Sequence, residues 1–219
     1  MSPAESQPTF VPALGHDRLT PFYDVVAWLL GDTTMKRRLI AQAAIAPGHD
    51  VLDLGCGTGT LALMIKRANP EANVSGVDID PKILAIARGK LVAEKLDVRF
   101  VEGSATAPPF PPASFDRVLT TLMLHHLTTP QKRAALAAVR ALLRPGGELH
   151  IADWGKPQNL LMRIAALGFQ LSDGAETTGA NVRGELPGLI AEAGFGDVRE
   201  VEHHMTVFGT LTYLRARAA

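Results

Sequence analysis

Residues 51–63 read VLDLGCGTGTLAL. An apolar run carrying one acid, Asp53, meets glycine at 55, 57 and 59, and the chain then turns apolar again. The run into the glycines, HDVLDL (49–54), has the length and content of a buried strand. Residues 58–69 have a helical pattern that ends before Pro70. Bare backbone at a strand-to-helix turn permits positive φ and close approach of a ligand, and the unpaired N–H groups of the helix start face the same place. The spacing G-C-G-T-G departs from the dinucleotide fingerprint G-x-G-x-x-G. Nineteen residues past Gly59 stands Asp78, at the end of a second strand (73–78), where a carboxylate can accept both hydroxyls of a ribose. The ligand therefore contains a nucleoside with a free diol.

The alternation continues outward from this turn. Pro81 opens a helix to about Leu96, and strands follow over 97–102 and 114–122. Thr129 is expected to cap a helix with Pro130 at its first position, burying Ala134, Leu136, Val139, Leu142 and Leu143; RPGG (144–147) breaks it. A fifth strand spans 147–153. Strand and helix repeated in this way specify a parallel sheet with helices on both faces. Upstream, helices are expected over 17–30, with Tyr23, Val26 and Leu30 at helical spacing, and from Asp32 or Thr33 to Ile45. Downstream come an apolar helical stretch (159–169), a polar Gly-rich loop, a helix over 186–194 closed by Gly194, and two strands turning near Gly209. The chain reads as one domain (1–219): a flexible arm (1–15), an N-terminal helical lid (16–46), and a substrate-cover segment (154–185).

Lys+Arg and Asp+Glu both number 22, and this balance argues against a non-specific nucleic-acid binder. Cys56 is the one cysteine, which excludes an intramolecular disulfide and a cysteine metal cluster; no metal is expected. This fits a reducing cytoplasm. The N-terminus lacks the basic-then-apolar order of a secretory signal, and no apolar run approaches the ~20 residues that span a bilayer.

VLDLGCGTG (51–59) followed by GVDID (76–80) resembles the first two motifs of class I S-adenosylmethionine-dependent methyltransferases. FVEGSATAPPFPPASFDRVLTTLMLHHL (100–127) is similar to their third and fourth motifs, and LLRPGGELHIADWG (142–155) to their fifth strand and its lead-in. The resemblance covers about residues 20–215 and is closest to the small-molecule branch that includes ubiquinone- and menaquinone-type C-methyltransferases. It implies a Rossmann-like three-layer α/β/α sandwich around a mostly parallel seven-stranded sheet with an antiparallel C-terminal strand. It implies S-adenosylmethionine as cofactor and S-adenosylhomocysteine as product. Carried over by position, Asp53 and the loop Gly55, Cys56, Gly57, Gly59 border the methionine part of the cofactor. Asp78 takes the ribose diol, Ile79 packs on adenine, Ser104 and Ala105 lie at the adenine edge, and Leu122 lies near the methionine end. Tyr23 matches a tyrosine that closes over the cofactor. The family usually carries an aspartate where this chain has Ser104, and a neutral acceptor binds an amino group more weakly than a charged one.

A sulfonium is already an activated methyl donor, so positioning supplies much of the rate, and a general base matters only when the acceptor loses a proton. His125 and His126 follow the fourth strand at the active edge and are the candidates for that base or for orienting substrate. Asp153 and Trp154 end the fifth strand at the same edge; together with Arg183 in the cover they are candidate substrate contacts. His203 and His204 are neighbours on a strand and point to opposite faces, which disfavours a shared zinc. The expected partner is a small-molecule acceptor methylated at N, O, C or S. Methylation of RNA or protein, a nicotinamide oxidoreductase and a non-catalytic S-adenosylmethionine-binding protein are the competing readings. A homodimer through the N-terminal helices or C-terminal strands stays open.

Overall fold

Breakers and caps set the element boundaries, and the two faces of the sheet then divide the apolar side chains between them. The computed structural model describes residues 32–206 and 209–219. The expected arm, the helix over 17–30 and Tyr23 lie outside the described residues. Helix α1 (Asp32–Ala43) stops where Ala44 takes a φ of 42°, ahead of Pro47. Strand β1 (Asp50–Leu54) passes through the glycine loop into α2 (Thr60–Ala68). Strand β2 (Asn73–Asp78) leads to α3 (Pro81–Glu94), where the Asp80 carboxylate accepts from Lys82 N at 2.8 Å and Lys95, left-handed, ends the helix. Strands β3 (Arg99–Glu102) and β4 (Phe115–Thr121), a 3-10 turn (Leu124–His126), α4 (Thr129–Leu142) and β5 (Leu143–Trp154) follow. The remainder is α5 (Leu160–Asp173), α6 (Ala175–Arg183), α7 (Leu186–Glu192), β6 (Phe195–Thr206) and β7 (Gly209–Ala218).

The strand order is β3-β2-β1-β4-β5-β7-β6. Pairings from β3 through β5 are parallel, and β7 runs antiparallel between β5 and β6. This is the Rossmann-like sandwich that the sequence implies. The order reverses between β1 and β4, so the glycine loop and Leu122 leave the sheet side by side at its carboxyl edge, where open α/β sheets bind ligands. Alternation along β1 sends Leu52 and Leu54 to the face covered by Leu136 and Val139 of α4 and Leu189 of α7. Val51 goes to the face covered by Leu39 of α1, Leu61 of α2 and Leu84 of α3. Each such leucine, buried to 0–3% exposure, contributes about 1.5–3 kcal/mol.

Four expectations are corrected. Thr128, not Thr129, caps α4: its N–H donates to Gln131 Oε1 at 2.9 Å in a capping box, and Pro130 falls one place later. Leu136, Val139, Leu142 and Leu143 are buried as expected, but Ala134 is exposed, and Ala135 and Lys132 are buried on that face. RPGG ends the helix but belongs to β5 as an irregularity, with Phe115 paired to Leu143 and Arg117 already to Glu148. The expected Gly-rich loop is helix α6, bounded by Gly174 (φ 90°) and Gly184 (φ 76°) and holding Thr178, Ala180 and Asn181 buried. Along α5, Met162 and Ala166 face inward, while Leu160, Leu161, Ile164, Leu167 and Leu171 are 59–88% exposed.

Candidate active site

The three loop glycines are bare for different reasons. All have positive φ: 69° at Gly55, 52° at Gly57 and 76° at Gly59. A Cβ on Gly55 would stand 2.4 Å from Met123 Cγ, and one on Gly59 would stand 2.6 Å from the Phe100 ring and 2.8 Å from Ala87. These two positions make room for the protein itself. A Cβ on Gly57 would meet nothing within 4 Å, so the open space above the loop lies there. Gly55 N and Cys56 N both donate to Val77 O at 2.9 Å, which fastens the loop to the end of β2.

Asp78 stands across this opening. Its Oδ2 accepts from Gly57 N at 2.8 Å and its Oδ1 from Asp80 N at 3.0 Å. Burial raises its carboxyl above the usual carboxylate range, against the pull of those backbone N–H groups. Ile79, 47% exposed, offers an apolar surface beside it. Room at Gly57, a carboxylate and an apolar shelf suit a nucleoside.

Asp53 serves the loop from beneath. It is 1% exposed, and its Oδ2 accepts from Ala62 N at 3.0 Å, replacing the side-chain cap that Gly59 cannot give α2. Cys56 is buried with its Sγ in reach of Gly76; burial and the carboxylates of Asp53 and Asp78 push the thiol far up, so it packs and does not attack. Ser104 Oγ lies 2.8 Å from Thr106 Oγ1 and accepts from Thr106 N at 3.2 Å, closing its own turn. Ala105 leans on the core. Leu122 sits in a left-handed conformation (φ 48°) with its N–H on Ala152 O, a strained non-glycine position at the sheet edge.

The histidines and Asp153 form the second half of the site. His125 is 3% exposed, and its Nδ1 lies 2.7 Å from Asp153 Oδ1. Asp153, at 1% exposure, takes donors from His125, Trp154 N (2.7 Å) and Asn181 Nδ2 (3.4 Å) on Oδ1, and from Met123 N (3.2 Å) and Leu124 N (2.8 Å) on Oδ2. Burial alone would raise this carboxyl; attraction to His125 and these hydrogen bonds outweigh it and hold the pKa low. Asp153 is thus an ionised carboxylate buried behind His125, with both oxygens already bonded within the protein. His126 is exposed with its ring 4.0 Å from that of His125. Trp154 packs on the core beside Leu211. Arg183 is turned to the surface and held by Glu185 through bonds of 2.6 and 3.0 Å. His203 and His204 pair separately with Glu200 and Glu202, and no group that could hold a metal occurs among the described residues.

Sequence reasoning missed Met123, Lys132 and Asn181. Lys132 carried a signal: a lysine where the period of α4 calls for an apolar side chain. Asn181 carried none, because its segment read as loop.

The family model described as "Methyltransferase domain" matches residues 51–147. The chain is 39% identical over 142 residues to a demethylmenaquinone methyltransferase of Thermus thermophilus, spanning 64% of each chain. It is 31% identical over 188 residues to an uncharacterized methyltransferase of Synechocystis, covering 86% of this chain and 84% of the relative. A phosphoethanolamine N-methyltransferase of Haemonchus contortus, solved with S-adenosylmethionine, superposes with a TM-score of 0.69 at 18% identity, covering 85% of this chain and 52% of that one. At that identity the superposition speaks for the fold. No helix among the described residues is long and apolar enough to cross a membrane. With the glycine loop at the strand reversal and Asp78 across from it, these matches identify the chain as a member of the S-adenosylmethionine-dependent methyltransferases, in the ubiquinone/menaquinone branch.

Proposed function

We propose that the protein methylates a small hydroxylated aromatic acceptor of the quinol type at a ring carbon. The observation that carries this reading is the buried His125–Asp153 contact of 2.7 Å, on the same edge of the sheet as the glycine loop. The kinship with a demethylmenaquinone methyltransferase supports the acceptor class.

S-adenosylmethionine supplies an activated methyl group on a sulfonium. The residues that would hold it are the backbone around Gly57, Asp78 for the diol, and Ile79, Ser104 and Ala105 at the base, with Leu122 toward the methionine end. We assign the Nδ1–H tautomer to His125, because Asp153 accepts there. Nε2 then receives the proton of an acceptor hydroxyl. Loss of that proton pushes electron density onto the adjacent ring carbon, the nucleophile, whose new bond to the methyl group would replace the bond from methyl to sulfur; the ring C–H proton then leaves to solvent and the imidazolium returns its proton to the oxygen, restoring the quinol. Asp153 stabilises the imidazolium that forms without taking its proton, and five fixed donors hold the carboxylate in place.

The test is transfer of labelled methyl to demethylmenaquinol and to the same compound with both hydroxyls blocked as ethers. Ring-methylated product from the free quinol alone, reduced about 100-fold or more in His125→Ala, is expected. Equal transfer to the blocked compound, or full activity in His125→Ala, would overturn the reading.

A further inference from the structure

A fully buried lysine lies behind the histidine turn. Lys132 is 0% exposed on the inner face of α4. An ammonium taken out of water costs several kcal/mol unless its protons find partners, and an apolar residue would fill this place without that cost. Its Nζ donates to Leu127 O and, at 2.6 Å, to Thr177 O. Leu127 closes the 3-10 turn that carries both histidines, its N–H donating to Leu124 O at 3.0 Å. Thr177 belongs to α6, in the cover segment. The same helix sends in Asn181, also 0% exposed, which donates to Trp154 O at 2.9 Å and to Asp153. The cover therefore meets the dyad twice, directly through Asn181 and by way of Lys132.

We infer that Lys132 is a positioning residue: through Leu127 O and Thr177 O it clamps the histidine turn to the cover helix and so holds the His125 ring in place against Asp153. His125 meets Asp153 from β5 and His126 from its own turn, and Asn181 of α6 donates to the same carboxylate. The buried ammonium is attracted to Asp153. Burial lowers the Lys132 pKa to about 8, partly offset by Asp153, so the clamp is charged at neutral pH. The inference rests on the proposed role of His125 as base.

The test compares Lys132→Met, which fills the same volume, and Lys132→Gln, which keeps a donor but no charge. Nitrogen NMR of ligand-free protein reads the His125 Nδ1–H that faces Asp153. The wild type should show that N–H in slow exchange with water; Lys132→Met should lose its signal and Lys132→Gln should keep part of it. In turnover, kcat should fall about tenfold in Lys132→Met and less in Lys132→Gln, with S-adenosylhomocysteine affinity within twofold of wild type. An unchanged ring signal in whichever variant folds would overturn the inference, even if thermal stability shifted. The ring signal needs no acceptor: a changed signal with no quinol methylated would leave Lys132 as positioning residue and remove the acceptor reading.

Discussion

Gly57 and Gly59 share a left-handed backbone but differ in what surrounds them. Alanine at Gly57 costs only the backbone strain, about 1–2 kcal/mol, and intrudes on the open space beside Asp78. Alanine at Gly59 also drives a methyl into Phe100 and Ala87, for a loss of roughly 2–4 kcal/mol. Denaturant melts should thus rank Gly59→Ala as the less stable variant. Titration with S-adenosylhomocysteine should rank Gly57→Ala as the weaker binder relative to its stability. Equal behaviour of the two would contradict the division between a ligand-facing and a core-facing glycine. The motif itself was readable in the sequence, because glycine is the residue for positive φ. Which glycine faces ligand was not, since it depends on Met123 and Phe100, brought in from other strands' ends.

The elements of the alternating half were legible because each buried strand is short, apolar and bounded by turn residues; β2 falls on 73–78 as read. The cap of α4 was misread by one residue because Thr128 and Thr129 are equivalent in sequence, and Gln131 decides between them only through its hydrogen bond to Thr128. Helix α6 was read as loop because Gly, Thr and Asn favour turns, yet burial of Thr178, Ala180 and Asn181 against the sheet edge overrides propensity. Gly179 remains a weak point in that helix. The nearest atoms a Cβ there would meet belong to the guanidinium of Arg183, an exposed flexible end that can shift along its surface pairing with Glu185. Gly179→Ala should raise the unfolding free energy by about 0.5–1 kcal/mol in urea titration; a decrease would mean that the helix cannot accept the methyl.

Across the whole molecule, α1, β4, β5 and β7 meet at a buried polar cluster. His150, 0% exposed, has Nδ1 3.1 Å from Gln42 Nε2, and its Nε2 lies 3.3 Å from Glu148 Oε2, close enough for attraction but without hydrogen-bond geometry. Arg215 Nη2 donates to Glu148 Oε1 at 2.6 Å, and Arg117 lies 3.9 Å from Oε2. Burial lowers the His150 pKa from 6.5 to about 4, with Glu148 opposing and the two arginines adding to it. The unfolded chain therefore binds a proton near pH 6.5 that the folded protein refuses until about pH 4. Stability should fall as pH drops through that window, by up to about 3 kcal/mol from this residue, and level off below it. Glu148, held low by Arg215 and Arg117 against its own burial, adds a loss at still lower pH. His150→Gln should flatten the upper part of the curve; an unchanged slope between pH 6.5 and 4 would place the acid sensitivity elsewhere. Such long-range clusters leave no local pattern in a sequence, whereas the glycine loop and Asp78, at the sheet's strand reversal, do. That pair is the seat we propose for the cofactor. Calorimetric titration of S-adenosylhomocysteine into the wild type and Asp78→Ala tests it most directly. Micromolar binding by the wild type is expected, weakened about 100-fold or more in the variant, which also loses the two backbone hydrogen bonds Asp78 accepts and melts somewhat lower while staying folded. Equal affinity in the two proteins would contradict it.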